Sequence, residues 1–142
     1  MNRGINFKYL DYNDIEYIVV HHSATNPKQK VTAEIIDRWH RDRGWLAGGY
    51  HWVIRRDGCI EPGRYIDQVG AHVKGHNDKS IGICLAGGLD QDGQVVDNFT
   101  DAQYRSLTAL HKAIGPDLPL RLHNELADTE CSKIDLLKIP PH

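Results

Sequence analysis

The sequence predicts an α/β fold in a single domain: a central mixed, mostly parallel β-sheet flanked by helices. Three observations carry this. The runs Tyr17-Ile18-Val19-Val20 and Ser80-Ile81-Gly82-Ile83-Cys84-Leu85-Ala86 are rich in β-branched residues and read as buried strands. Two stretches with apolar residues at helical spacing, 33–43 and the one from Thr100 to Ile114, alternate with strand-like segments. Alternation of this kind places strands side by side through crossover connections and covers the sheet with helices. A chain of 142 residues fits one domain, 1–142. At that size roughly 70% of the unfolded surface is buried on folding, enough for a core without staples.

The elements follow in order. Residues 1–14 form a polar lead-in. The first strand, 16–21, turns Tyr17, Val19 and His21 to one face and Ile18, Val20 and His22 to the other. Asn26-Pro27-Lys28-Gln29-Lys30 is a loop. Thr32 can N-cap a helix over 33–43, with Glu34 in its first turn, Ile35, Ile36 and Trp39 as its apolar stripe, and Gly44 as its end. Gly48-Gly49 leads into a second strand, Tyr50 to Arg55. Asp57-Gly58 turns the chain into the return strand Cys59-Ile60-Glu61, closed by Pro62-Gly63. Residues 63–79 are a long loop rich in Gly, His and Asn, a length that often carries function.

The third strand, 80–86, is stopped by Gly87-Gly88, and Gln91-Asp92-Gly93-Gln94 is a turn. Thr100-Asp101-Ala102-Gln103 is a capping box, with Phe99 stapled onto Tyr104. The helix it opens carries Leu107, Leu110 and Ile114 inward and ends at Gly115-Pro116. Leu120-Arg121-Leu122 is a short strand that delivers His123. Ile134 to Leu137 form a last helical turn.

Composition excludes several function classes. The formal charge of −2 leaves no basic footprint, so nucleic acid is not an expected partner. Three cysteines, Cys59, Cys84 and Cys131, make an odd set with no C-x-x-C spacing, which argues against a disulfide framework. No segment reaches the ~18 apolar residues of a membrane span, and the lead-in lacks a signal-peptide core. The expectation is a monomer, cytoplasmic on synthesis, with any export by another route.

Nine histidines are many for this length. His21 and His22 stand at the end of a buried strand, His123 follows another, and Cys131 lies eight residues beyond it. His21, His123 and Cys131 form a set of three zinc ligands with the fourth position left for water, the arrangement of a catalytic zinc. Cys59 and Cys84 read as small buried hydrophobes.

The stretches Val20-His21-His22-Ser23-Ala24-Thr25, Gly49-Tyr50-His51, Arg56-Asp57-Gly58, Gly70-Ala71-His72 and Gly75-His76-Asn77 add a pattern, as do Ser80-Ile81-Gly82-Ile83-Cys84, Asn98-Phe99-Thr100 and His123-Asn124-Glu125 with Cys131. In order and spacing, from Ile18 to Leu136, they resemble the zinc-dependent N-acetylmuramoyl-L-alanine amidases of the phage-lysozyme and peptidoglycan-recognition-protein superfamily, T7-type phage lysozymes among them. The resemblance implies that fold, zinc as cofactor, and His21 rather than His22 as ligand beside His123 and Cys131. It also implies a catalytic role for Tyr50, which the residues alone read as a core aromatic beside Trp52 and Ile54.

Phage members of the group often carry a lysine two residues before the cysteine ligand. Here Thr129 stands in that place, as in other zinc amidases of the superfamily, and Ser132-Lys133 replaces the proline often seen after the ligand. A threonine hydroxyl can donate a hydrogen bond to an oxyanion but brings no charge. A zinc with three protein ligands acidifies its water toward ~7 and polarises an amide carbonyl, while Tyr50 and Thr129 would stabilise the oxyanion. Glu125 is a candidate to orient a ligand, Trp45 an apolar wall, and His72 and Asn77 candidate substrate contacts on the long loop. The implied function is hydrolysis of the bond between N-acetylmuramic acid and L-alanine in bacterial peptidoglycan, as a phage or prophage endolysin acting on the cell wall after release. The alternative is a non-catalytic peptidoglycan-binding module on the same fold, against which the retention of all three ligand types speaks.

Overall fold

Two crossovers and one hairpin build the sheet. The structure, a computed structural model, describes residues 8–42, 49–126 and 134. Strand β1 (Tyr17–His22) is its centre. It pairs in parallel with β4 (Ser80–Leu85) on one side, His21 opposite Cys84, and with β5 (Leu120–Leu122) on the other, Val20 opposite Leu122. β2 (Trp52–Ile54) extends the sheet beyond β4 in parallel, and β3 (Ile60–Pro62) returns antiparallel to β2 at the edge. The order is β3-β2-β4-β1-β5. Pro62 is tolerated in β3 because an edge strand need not donate from every residue.

Side-chain alternation divides the interior into two layers. Ile18, Val20, Ile54, Ile81, Ile83 and Leu85 face helix α2 (Asp101–Ile114) and pack with Phe99, Tyr104, Leu107 and Leu110. Each fully buried aliphatic side chain here contributes about 1.5–3 kcal/mol relative to exposure. The opposite face is thinner: Val53, Cys84 and Ala86 meet Val31, Ala33 and Ile36 around helix α1 (Ala33–Asp42), with Trp39 and Tyr50 packed against them.

The helix termini are set as their sequences predict. Thr100 accepts from the Gln103 amide at 3.1 Å while Gln103 accepts from the Thr100 amide at 2.9 Å, and the Phe99 and Tyr104 rings meet edge-on at 6.2 Å. Thr32 Oγ1 accepts from the Ile35 amide, and Glu61 on β3 takes the Ala33 amide, tying α1 to the sheet edge. The Asp57-Gly58 turn forms with Gly58 at φ +88°.

Five expectations shift, the first being that Cys59 is exposed rather than a buried hydrophobe. The lead-in is not merely polar: Leu10 is buried in the larger cluster, as is Ile15 just beyond it, and the backbone of Lys8 and Leu10 bonds to Val69 and Asp67. β2 is shorter than 50–55 because the chain bends at His51, so Tyr50 faces the α1 layer rather than the side of Trp52 and Ile54. β3 runs one residue later than 59–61. The buried face of α1 also includes Asp37 and His40, polar residues that a hydrophobic stripe does not register. Gly44 and most of 134–137 lie outside the described residues, but Ile134 is buried in the larger cluster.

Gln103 does more than cap. It is fully buried, and its Nε2 donates to the carbonyls of Ile54 at 3.1 Å and Ala86 at 2.8 Å, joining α2 to the C-terminal ends of β2 and β4. Gln103→Leu is therefore predicted to lower stability in urea by about 2–3 kcal/mol, since it strips buried hydrogen bonds without opening a large cavity. A loss under about 0.5 kcal/mol would contradict this anchoring role.

Candidate active site

His21 lies at the end of β1 and is only 3% exposed. Residue alternation turns it to the α1 layer, and the β1–β5 pairing brings the first residue after β5 alongside. That residue, His123, opens the short helix α3 (His123–Leu126). The result is a close approach of like atoms: His21 Nδ1 stands 3.1 Å from His123 Nδ1. Burial holds the His21 imidazole well below its ordinary pKa, helped by His72, His123 and His22, and burial also lowers His123. Two neutral rings meeting through Nδ1 can share one proton or present both lone pairs to a cation. Two zinc–nitrogen bonds of 2.0–2.1 Å at a tetrahedral angle would put the nitrogens about 3.3 Å apart, close to the observed spacing.

The long loop supplies the far side of His21. Its Nε2 meets His72 Nδ1 at 2.9 Å, with the rings perpendicular. Asn77 Oδ1 accepts from the amides of His72 and Val73, both at 2.9 Å, and so closes the loop on itself. His72 and Asn77 therefore make internal contacts here. His72 is 7% exposed, and its ring lies over Gly82 of β4, where any Cβ would stand 2.6 Å from the imidazole. Tyr50 sits on the open side, its ring 5.0 Å from that of His21 and 5.6 Å from that of His40. Glu125 accepts from the Leu122 amide at 3.2 Å and pairs with Arg121 at 3.8 Å, so it braces the β5–α3 turn rather than a ligand ring. Cys131 and Thr129 lie outside the described residues, as do Trp45 and Lys133. Among the described residues no three potential metal ligands converge.

The comparisons with known proteins bear on this arrangement. Residues 11–131 match the family model for N-acetylmuramoyl-L-alanine amidase. The chain belongs to that family. The endolysin of Escherichia phage T7 is 45% identical over 137 residues, covering 93% of this chain and 88% of its own. The solved structure of the N-acetylmuramoyl-L-alanine amidase LysC from Clostridium intestinale URNW superposes with a TM-score of 0.74 at 33% identity, covering 92% of this chain and 87% of that one. Drosophila PGRP-LB superposes with a TM-score of 0.75 at 25% identity, over 90% and 79% of the two chains. The α/β fold and the amidase activity on peptidoglycan expected from the sequence both hold.

The amidase surrounds its histidine pair with polar residues that the sequence reading did not single out. His51 is fully buried; its Nδ1 accepts from the Gly82 amide at 3.0 Å and its Nε2 donates to the Gln68 carbonyl at 2.7 Å. His40 Nδ1 accepts from the Gly49 amide at 2.9 Å and so holds the approach to Tyr50. Ser80, also fully buried, lies against His72 Nε2. The excess of histidines was the available signal; their partners, distant in sequence, were not. Cys84 on β4, the register partner of His21, is pushed up to about 12 by burial, partly offset by a hydrogen bond from Tyr50.

Burial lowers His51 to about 4, opposed by its bond to Gln68. A depressed folded-state pKa means that the unfolded chain takes the proton first. The neutral ring therefore contributes its full stabilisation above the unfolded value near 6.5, and this is lost as pH falls toward about 4. The His51 ring is predicted to titrate by NMR near pH 4, accompanied by a loss of about 3 kcal/mol of urea stability between those limits. A midpoint near 6.5 would contradict the buried, doubly bonded ring.

Proposed function

We propose that this amidase cleaves the bond between the lactyl group of N-acetylmuramic acid and L-alanine on one zinc ion, held by His21, His123 and Cys131. The observation that carries the reading is the convergence of His21 Nδ1 and His123 Nδ1 at 3.1 Å, at the ends of adjacent parallel strands. The chemistry of the donor set fits: two neutral imidazoles aimed at one point, with a thiolate supplied eight residues after the second. Those residues would hold a zinc ion, which would supply Lewis-acid chemistry toward water and the scissile carbonyl.

The chain's own residues do the remaining work. Tyr50, packed beside His21, turns its hydroxyl from Cys84 to the oxygen that becomes negative as the carbonyl is attacked. Thr129 gives a second, uncharged donor in place of the lysine of phage relatives. His72 and Asn77 act from behind the site, through the loop, rather than on substrate. A monomeric, single-domain enzyme over 1–142 is part of the same reading, with residues 11–131 matching one family model. The likeness to the phage T7 endolysin supports a phage or prophage endolysin, made in the cytoplasm and acting on the cell wall after release. Among the described residues no helix is long and apolar enough to cross a membrane.

One experiment tests these assignments together: hydrolysis of purified peptidoglycan, with zinc content measured in parallel. Wild type is expected to release free stem peptide, to lose activity to a chelator and to regain it with zinc. His123→Ala should lose both metal and activity. Tyr50→Phe should keep metal and fold while kcat falls about 100–1,000-fold, the usual effect of removing an oxyanion donor. Chelator-resistant turnover would sink the zinc reading, and wild-type kcat in Tyr50→Phe would return that residue to packing alone.

A further inference from the structure

We infer that His72 is a positioning residue: a one-way chain of hydrogen bonds from a backbone carbonyl through Ser80 and His72 fixes which nitrogen of His21 is free to bind the metal. This rests on the zinc reading above.

The direction of each bond follows from the first. Ser80 Oγ donates its only proton to the His76 carbonyl at 2.7 Å, because a carbonyl can only accept. Toward His72 Nε2, 3.4 Å away, the same oxygen can then only accept. His72 therefore carries its proton on Nε2 and holds a lone pair at Nδ1. That lone pair faces His21 Nε2 at 2.9 Å, so His21 must donate from Nε2. A neutral His21 is then left with its lone pair on Nδ1, the atom that faces His123. The opposite tautomer of His72 would set its Nε2 lone pair against the Ser80 oxygen lone pair.

The geometry holds the ring in this sense. Gly82 lets the imidazole lie on the β4 backbone, and a Cβ at Gly70 would stand 2.6 Å from His72 Cδ2, so the ring is sandwiched between two glycine backbones. Asn77 fixes the His72 amide from below the loop. The role is that of a residue one shell out from a metal, which orients its histidine ligand and fixes the ligand's tautomer.

The test uses the full chain, labelled with nitrogen-15 at histidine. Long-range proton–nitrogen spectra of the metal-free protein should show His72 and His21 both protonated at Nε2. A proton on His72 Nδ1 overturns the inference. Zinc affinity is then measured by competition with a chelator for wild type, His72→Asn and His72→Leu. The Asn side chain can present an acceptor oxygen near the place of Nδ1, whereas Leu fills the space without one. His72→Leu is expected to weaken zinc binding about 10–100-fold, with His72→Asn recovering most of the loss. Equal affinity in His72→Leu and wild type, or no recovery in His72→Asn, overturns the inference while leaving the zinc reading standing. Wild type that binds no zinc overturns both. Should His72→Leu fail to fold, the tautomer spectrum and the His72→Asn affinity decide.

Discussion

The parallel register of β1 between β4 and β5 is the constraint on which the site depends. It sets His21 opposite Cys84 and brings His123 to the same end of the sheet, one residue past the Val20–Leu122 pairing. A shift of one residue in β1 would turn His21 into the α2 layer beside Ile81 and Ile83, would expel Ile18 and Val20 from it, and would part His21 from His123. The register is fixed by the hydrophobic face it buries. The large aliphatic cluster against α2 therefore does chemical work at a distance, by holding two imidazoles at 3.1 Å.

The loop between β3 and β4 answers the opposite need. As the proposed ligand on β1, His21 would turn one nitrogen to the metal and the other back into the protein, where it must find a partner. The loop brings His72 to that nitrogen, and glycines at 70 and 82 make the room. His51 fastens the base of the same loop by bridging the Gly82 amide and the Gln68 carbonyl.

What was legible in the sequence was local. The capping box at Thr100, the Asp57-Gly58 turn and the apolar runs at 17–20 and 80–85 each state their structure within a few residues, and each formed where expected. The two strand ends suggested His21 with His123 across about a hundred residues, and the family resemblance implied His21 rather than His22 as the ligand. What stayed hidden depends on packing between distant segments. The bend at His51 sends Tyr50 to the α1 layer, against simple alternation. Asp37 and His40 are buried on a helix face that hydrophobicity marks as mixed. His72 and Asn77 look like loop residues facing solvent, yet their contacts run inward because His21 and the loop backbone offer partners there.

The central claim is that the strand register brings together the two imidazoles of the proposed zinc site, to which Cys131 is proposed to add a thiolate. X-ray absorption at the zinc edge of the purified, metal-loaded protein tests it directly. The account predicts four-coordinate zinc with two nitrogens at about 2.0–2.1 Å, one sulfur at about 2.3 Å and one exchangeable oxygen that responds to added substrate analogue. A shell without sulfur, or one closed by four protein ligands, would contradict it.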